Sequence, residues 1–257
     1  MSAPVFLAAP GMLDGYGPGS AYVLDGAEAR HAGVVQRRRA GERVDVADGA
    51  GVRLACVVTS VEPGRLELDV VARQDEPAPT VRLVLAQALA KGDRDEMAIE
   101  AATEIGVDEV VPWQAERSVV VWRGERAAKS RARWLATVRE ATKQSRRARL
   151  PGVAQAVDTA GLAARVRAVV AGGGVALVLD GAGAVPLAAV PLPDSPDGPP
   201  AEVLVVVGPE GGIGDGELGV LADAGAVVTR LGPTVLRTST AGPVALALLA
   251  QRLGRWA

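Results

Sequence analysis

From Thr80 onward the chain alternates uninterrupted apolar runs with helix-patterned stretches, and this alternation restricts the fold more than any other feature. VRLVLAQAL, which opens the series, lacks a polar–apolar alternation and reads as a strand buried on both faces of a parallel sheet. Asp93–Ile105 reads as a helix, with acids in its first turn and Met97, Ala101, Ala102 and Ile105 on one stripe. VDEVVPW and RSVVVW read as strands, followed by a basic helix from about Ala127 to Arg147. VAQAV, a helix over Ala160–Val170, VALVLD, VLVVVG, a helix over Glu217–Ala224, VVTRL and a last helix from about Ser239 to Leu253 complete the series. Such a pattern predicts an α/β domain with a mainly parallel sheet. PLPDSPDGPP, residues Pro191–Pro200, reads as a surface loop.

Upstream the grammar is different. Val44–Ala47, Arg53–Ser60 and Leu66–Val71 read as short strands punctuated by Asp48-Gly49-Ala50-Gly51 and Pro63-Gly64. A small β-barrel or sandwich is expected there. Gln74-Asp75-Glu76-Pro77-Ala78-Pro79 is polar and proline-bearing, as linkers are. The expected plan is therefore a β domain over 1–73, a linker over 74–79 and an α/β domain over 80–257. The length of 257 residues accommodates two modest domains.

Composition removes several function classes. With 49% hydrophobic and 23% charged residues, most of the chain can bury enough apolar surface to order itself. No apolar run approaches the ~20 residues that span a bilayer, and MSAPVFLAAPGM has no basic region ahead of its apolar stretch. A cytoplasmic protein without membrane contact is expected. A single cysteine, Cys56, forms no internal disulfide, and a single histidine, His31, leaves no His/Cys cluster for zinc, so no metal is expected. Cys56 reads as a buried strand residue, and His31 as structural or an RNA contact. The net charge of −2 hides an asymmetry: Arg123–Arg149 holds ten basic residues against Glu125 and Glu140. Arg30, Arg37, Arg38, Arg39 and Arg43 form a second cluster. Basic blocks on a near-neutral chain fit a polyanionic partner or, equally, a solvated arginine-rich face.

Three glycine turns follow apolar strands: Asp180–Gly183, Gly208–Gly212 and Leu231–Pro233. In an open α/β sheet all three can converge on one pocket beyond the strand ends, although singly each is more often only a turn. GGIGDGE lacks dinucleotide-type spacing, and there is no phosphate-binding G-x-x-x-x-G-K-[ST]. Arg237 precedes Thr238-Ser239-Thr240, which are natural caps for the last helix. A helix N-terminus with hydroxyls and an arginine can hold a polar or anionic ligand. On local pattern alone, an ordinary capped helix is the stronger reading. That helix is apolar nearly all round, so it packs in the core or against another subunit.

Together, KGDRDEMAIEAATEIGVDEVVPWQAERSV, EATKQSRR, VVVGPEGGIGDGE and LGPTVLRTSTA resemble the bacterial 16S ribosomal RNA uridine-N3 methyltransferases, the RsmE family of the SPOUT superfamily. HAGVVQRRRAGERVDVADGAG resembles that family's small PUA-like RNA-binding barrel. The resemblance covers nearly the whole chain. It implies a trefoil-knotted methyltransferase domain behind the barrel, S-adenosylmethionine (SAM) as cofactor, 16S rRNA in the small ribosomal subunit as substrate, and a homodimer. Carried over by motif, the cofactor contacts are Leu179, Asp180, Gly208, Pro209, Glu210, Gly211, Leu231, Gly232, Leu236, Arg237 and Thr238. Arg30, Arg37, Arg38, Arg39, Lys143, Arg146 and Arg147 would hold rRNA. Arg237 is the expected charge stabiliser, and Glu210 the nearest candidate base or else a backbone cap. Two positions depart from the family: Ser239 stands where relatives often have glutamate, and Gly214 where a Ser/Thr cap is usual. Glu217 remains placed to close that cap. The competing readings are a sister methyltransferase for a ribose hydroxyl or tRNA, separated by the modified atom, and a non-catalytic assembly factor, separated by cofactor binding. A nucleotide-binding oxidoreductase is a third, separated by NAD binding.

Overall fold

The computed structural model describes residues 3–194 and 199–256, and the chain divides into two units. The first runs to Ala78 and includes Thr142–Leu150; the second holds Pro79–Ala141 and the chain from Pro151 onward.

The first unit contains β1 (Val5–Leu7), β2 (Ala21–Asp25), α1 (Gly26–Arg30), a π-helical turn over His31–Val35, β3 (Arg43–Ala47), β4 (Val52–Glu62) and β5 (Arg65–Asp75). The strands form one sheet in the order β1-β3-β4-β5-β2, parallel only between β1 and β3. Period-two alternation turns Val44, Val46, Leu54, Cys56, Leu66 and Leu68 to one face, where they pack with Phe6 and Leu24. Two register shifts between β4 and β5 bend the sheet. β5 is longer than the sequence suggests. Gln74 and Asp75, expected in the linker, pair with Arg53 and Val52. Pairing overrides their low strand propensity. The short β1 and β2 carried too little pattern to be read beforehand.

The second unit contains β6 (Val81–Ala88), α2 (Arg94–Ile105), β7 (Glu109–Gln114), α3 (Glu125–Gln144, its last residues counted with the first unit), β8 (Gly152–Val153), β9 (Val157–Asp158) and α4 (Thr159–Ala171). It continues with β10 (Val175–Leu179), β11 (Val185–Pro186), β12 (Ala201–Val207), α5 (Asp215–Asp223), β13 (Val227–Arg230) and α6 (Thr238–Arg252). Every pairing in its sheet is parallel, in the order β11-β13-β10-β12-β6-β7-β8, with β9 also on β7. Val84, Ala86, Leu204 and Val206 pack with Leu162 and Val166 of α4 and Leu221 of α5. On the opposite face α6 approaches so closely that a Cβ on Gly242 would lie 3.0 Å from Leu85. Of the expected Pro191–Pro200 loop, residues 195–198 lie outside the described residues.

Three local readings are corrected. Arg117–Trp122, read as a strand, is a loop. β7 is already paired on both sides, and Gln114 takes the place of a strand partner: its Nε2 donates to the Val120 carbonyl (3.0 Å) and its Oε1 accepts from the Trp122 N–H (3.2 Å). VAQAV splits into β8 and β9, which pair with opposite ends of β7. In α2 the buried face is Ala98, Ile99, Ala102 and Thr103, whereas Met97 is 58% exposed. A helix so rich in alanine permits more than one apolar stripe, and packing against α6 selects one. Gly106, with φ +117°, ends α2 in a left-handed cap whose N–H returns to Ala102 and Thr103.

Candidate active site

β13, β10 and β12 lie side by side and parallel, so the turns at their carboxyl ends meet at one sheet edge. There, together with the start of α6, they enclose a cleft of about 520 Å³. Leu179 and Asp180 line it from β10, Gly208, Pro209 and Glu210 from β12, Leu231 and Gly232 from β13, and Leu236, Arg237 and Thr238 from the approach to α6. Of the expected cofactor residues only Gly211 does not line it; its carbonyl instead accepts from Arg117 Nη1 at 3.1 Å.

A buried polar chain fixes the two sides of this cleft. The sequence suggests that the Thr238 hydroxyl caps α6, but the N-cap is Arg237, without a side-chain cap bond. Thr238 Oγ1 donates to the Gly208 carbonyl (2.7 Å) and accepts from Gln87 Nε2 (2.8 Å). Gln87 is fully buried at the end of β6. The hydroxyl thus joins the end of β12 to the start of α6, and a capping role would forfeit both bonds. Glu217 ties the outer side of the same loop. Its Oε2 accepts the Gly214 N–H (3.3 Å), closing the expected cap, while its Oε1 accepts the Glu116 N–H (2.9 Å) and the Thr159 hydroxyl (2.6 Å).

Glu210 projects to the loop before α2, where Oε1 accepts from the Lys91 N–H (3.1 Å) and from Arg94 Nη1 (2.8 Å). Partial burial alone would raise its proton affinity. Hydrogen bonds from its own backbone, Arg94 and Lys91 outweigh burial and hold the carboxyl below the usual range. An anion so engaged is a weak proton acceptor, and its two bonds tether the Gly208–Gly212 turn to the loop before α2. Arg94 itself lines the cleft, beside Arg230 and Arg237. Arg237 is exposed and makes no ion pair among the described residues. Nothing local in KGDRDE or WQAERS marks Lys91, Arg94, Glu116 or Arg117 for this site, because their partners lie 94 to 119 residues away along the chain. Next to Arg94, the Asp95 carboxyl is pushed up to about 6, chiefly by burial and secondarily by the Glu96 charge, against N–H bonds from Glu96 and Ala90.

All seven expected RNA-binding residues belong to the first unit. Arg30, Arg37, Arg39 and Arg146 are exposed, and Arg147 is half-buried. Arg38 is half-buried and bonds Gln36 and Glu42. Lys143 is different: its side chain is only 12% exposed and its ammonium lies 3.6 Å from Glu28. Its ammonium is thus engaged with a carboxylate of the same unit. Arg37 (φ +53°) and Arg146 (φ +59°) are the non-glycine residues with positive φ among those described. His31 bonds Gln36 (3.0 Å) and meets the Phe6 ring edge-on. Burial pushes the Cys56 thiol up to about 12, the state of an inert core residue.

A family profile described as an RNA methyltransferase domain matches residues 76–250. The protein named Ribosomal RNA small subunit methyltransferase E in Mycobacterium tuberculosis is 44% identical over 238 residues, covering 93% of this chain and 89% of its own. The chain belongs to this family. The methyltransferase E of Bacillus subtilis is 30% identical, with 89% of each chain covered. Among solved structures, the methyltransferase E of Neisseria gonorrhoeae bound to SAM is 26% identical, covers 98% of each chain and has a TM-score of 0.82. A Legionella pneumophila protein in complex with bound SAM is 27% identical, with 98% of each chain covered and a TM-score of 0.83. The methyltransferase E fold is thus that of this chain throughout. Among the described residues no group of three His, Cys, Asp or Glu side chains is placed to hold a metal, and no helix is long and apolar enough to cross a membrane.

Proposed function

We propose that the protein is a SAM-dependent methyltransferase that methylates N3 of a specific uridine in 16S ribosomal RNA within the small ribosomal subunit. The observation that carries this reading is the cleft itself. Its walls are apolar at Leu179, Val207, Ile213 and Leu231, polar at Asp180 and Thr238, cationic at Arg94, Arg230 and Arg237, and include three glycine turns. A Cβ on Gly181 or Gly232, both of which line the cleft, would meet no protein atom within 4 Å. Those positions therefore leave open space that a ligand can use, and the residues fit SAM. When bound, SAM supplies an electrophilic methyl group on a sulfonium.

The chain's own residues do the rest. Leu179, Asp180, Gly208, Pro209, Leu231, Gly232, Leu236 and Thr238 hold the cofactor, with Gly211 in the loop that backs them. Glu210 pins the Lys91–Arg94 segment at the cleft. Uracil N3 is an imide nitrogen that must lose its proton to solvent water to attack, leaving negative charge on O2 and O4. Arg237, a permanent cation at the start of α6, stabilises that charge. The base must be unstacked to reach this site. Arg30, Arg37, Arg38 and Arg39 contact rRNA from an N-terminal PUA-like barrel whose last strand ends at Asp75, and Arg146 and Arg147 contact it from the Thr142–Leu150 segment of the same unit. LGPTVLRTSTA forms the trefoil-knotted passage that shapes the cleft. The enzyme acts in the cytoplasm as a homodimer and without a metal.

The test is methyl transfer from labelled SAM to small subunits from a strain lacking this gene, followed by nucleoside analysis. Appearance of 3-methyluridine is expected. A different methylated nucleoside refutes the target atom, and no transfer to subunits or naked rRNA refutes the substrate.

A further inference from the structure

Val235 is 94% exposed, more than any other large hydrophobic side chain among the described residues, and it lines the mouth of the cleft. A valine so exposed adds nothing to the fold, since an apolar side chain stabilises only by leaving water. The local backbone puts it there. Exposure alternates along the approach to α6: Val235 and Arg237 are exposed, while Leu236 is half-buried and Thr238 is 7% exposed. Arg237 has extended backbone, φ −65° and ψ 152°, and along extended backbone side chains two apart share a face. The bonds of Thr238 to Gly208 and Gln87 fix the inward side of this alternation. Val235 and Arg237 are therefore held together on the open side, an aliphatic surface next to a permanent cation.

The two carboxylates that line the cleft are engaged away from this pair. Glu210 holds the Lys91 N–H and Arg94, and Asp180 Oδ1 accepts the Ala182 N–H at 2.8 Å. An apolar surface beside an unpaired cation fits a planar ring that carries negative charge on its edge. We propose that Val235 is the platform on which the target uracil packs, ring face against side chain, so that the ring edge brings a carbonyl oxygen to Arg237. A base drawn out of its RNA loses its stacking neighbours, and an apolar contact at the mouth of the cleft replaces part of that loss. It also fixes the plane of the ring, which alignment of N3 with a methyl group requires. Val235 thus contacts substrate, and cofactor binding is left to the glycine turns deeper in the cleft. The inference rests on the proposed uridine substrate.

The experiment compares full-length wild type, Val235→Ala, Val235→Thr and Val235→Leu in methyl transfer to small subunits, with SAM affinity, melting temperature and sedimentation measured alongside. Val235→Ala and Val235→Thr should lower kcat/KM for subunits about tenfold, the size of one weakened base contact, equivalent to ~1.4 kcal/mol. Val235→Leu keeps an apolar surface and should stay close to wild type. SAM affinity, melting temperature and sedimentation should not change, as expected of an exposed side chain that supports nothing else. In protein saturated with S-adenosylhomocysteine and labelled at its valine methyl groups, a uridine hexanucleotide should move the Val235 signals upfield, the mark of a ring face lying over them. The same sugar–phosphate chain without bases should not. Unmoved Val235 signals, an equal shift with the base-free chain, or an unchanged kcat/KM in Val235→Ala overturns the inference. Weaker SAM binding by Val235→Ala also overturns it, by making Val235 a wall of the cofactor site, and so does a lower sedimentation coefficient, by making it a contact between copies. If wild type transfers no methyl group, the proposed function fails on its own, and the valine signals still judge the platform.

Discussion

Replacing Thr238 by valine removes one oxygen and keeps the branched shape of the side chain, so it isolates the polar chain behind the cleft. The residue is 7% exposed, and Gln87 beneath it is fully buried. The substitution leaves the Gly208 carbonyl and Gln87 Nε2 without the hydroxyl. Nε2 keeps only a 3.3 Å contact with the Ala88 carbonyl, and Gln87 Oε1 already lacks a partner. At about 1–3 kcal/mol for each buried group left unsatisfied, and with Gly208 half-buried, the expected loss is about 2–4 kcal/mol. In a chain of this size that lowers the melting temperature by roughly 4–16 °C. The start of α6 would also be released from the end of β12, and SAM affinity should fall by about tenfold for each ~1.4 kcal/mol of lost organisation. Urea unfolding and calorimetric titration with SAM give both quantities. Thr238→Ser, which keeps the hydroxyl, should stay close to wild type. Thr238→Val within ~0.5 kcal/mol of wild type, the range of an ordinary surface change, would refute the reasoning, as would Thr238→Ser behaving like Thr238→Val.

Arg237→Ala should lower kcat by ~100-fold or more with the fold intact, and Arg237→Lys should restore little of it; full turnover in the alanine variant removes Arg237 from the chemistry. Glu210→Gln keeps an acceptor for the Lys91 N–H and should weaken SAM binding severalfold without moving the pH–rate profile. A vanished acidic limb would make Glu210 the base after all. Gly232→Ala adds a methyl group to the cleft where no protein atom lies within 4 Å, so SAM affinity should drop with melting temperature unchanged. Asp95 ionises near pH 6 when folded but near its ordinary value when unfolded, so the native state binds more protons between those limits and stability falls as pH rises through them. Asp95→Asn should flatten that slope, an effect on the order of 2–3 kcal/mol, and an unchanged pH–stability curve would contradict the burial argument.

Much of this protein is legible before folding. VRLVLAQAL, VALVL and VLVVV are too uniformly apolar to face water on either side, so they fix a parallel sheet covered by helices. The glycine turns after those strands gave nearly all of the cleft, because a parallel sheet brings its carboxyl ends to one edge whatever the loops contain. Period two in LELDV, and the Gly/Pro punctuation around it, revealed the β character of the first unit. Where alternatives were close in energy, sequence could not choose. RSVVVW has strand composition, but β7 already had its neighbours and the Gln114 amide satisfied the backbone instead. Lys143 looked like one more basic residue until Glu28 stood 3.6 Å away. Thr238 looked like a cap; Gln87 and Gly208 decided otherwise, and only the fold brings Arg94 to the Glu210 carboxylate. Local sequence determines which backbone conformations and faces are favourable, since those energies depend on neighbours within a few residues. The proton affinity, pairing and exposure of a polar side chain depend on groups brought into contact with it by the fold, and these only the tertiary structure decides.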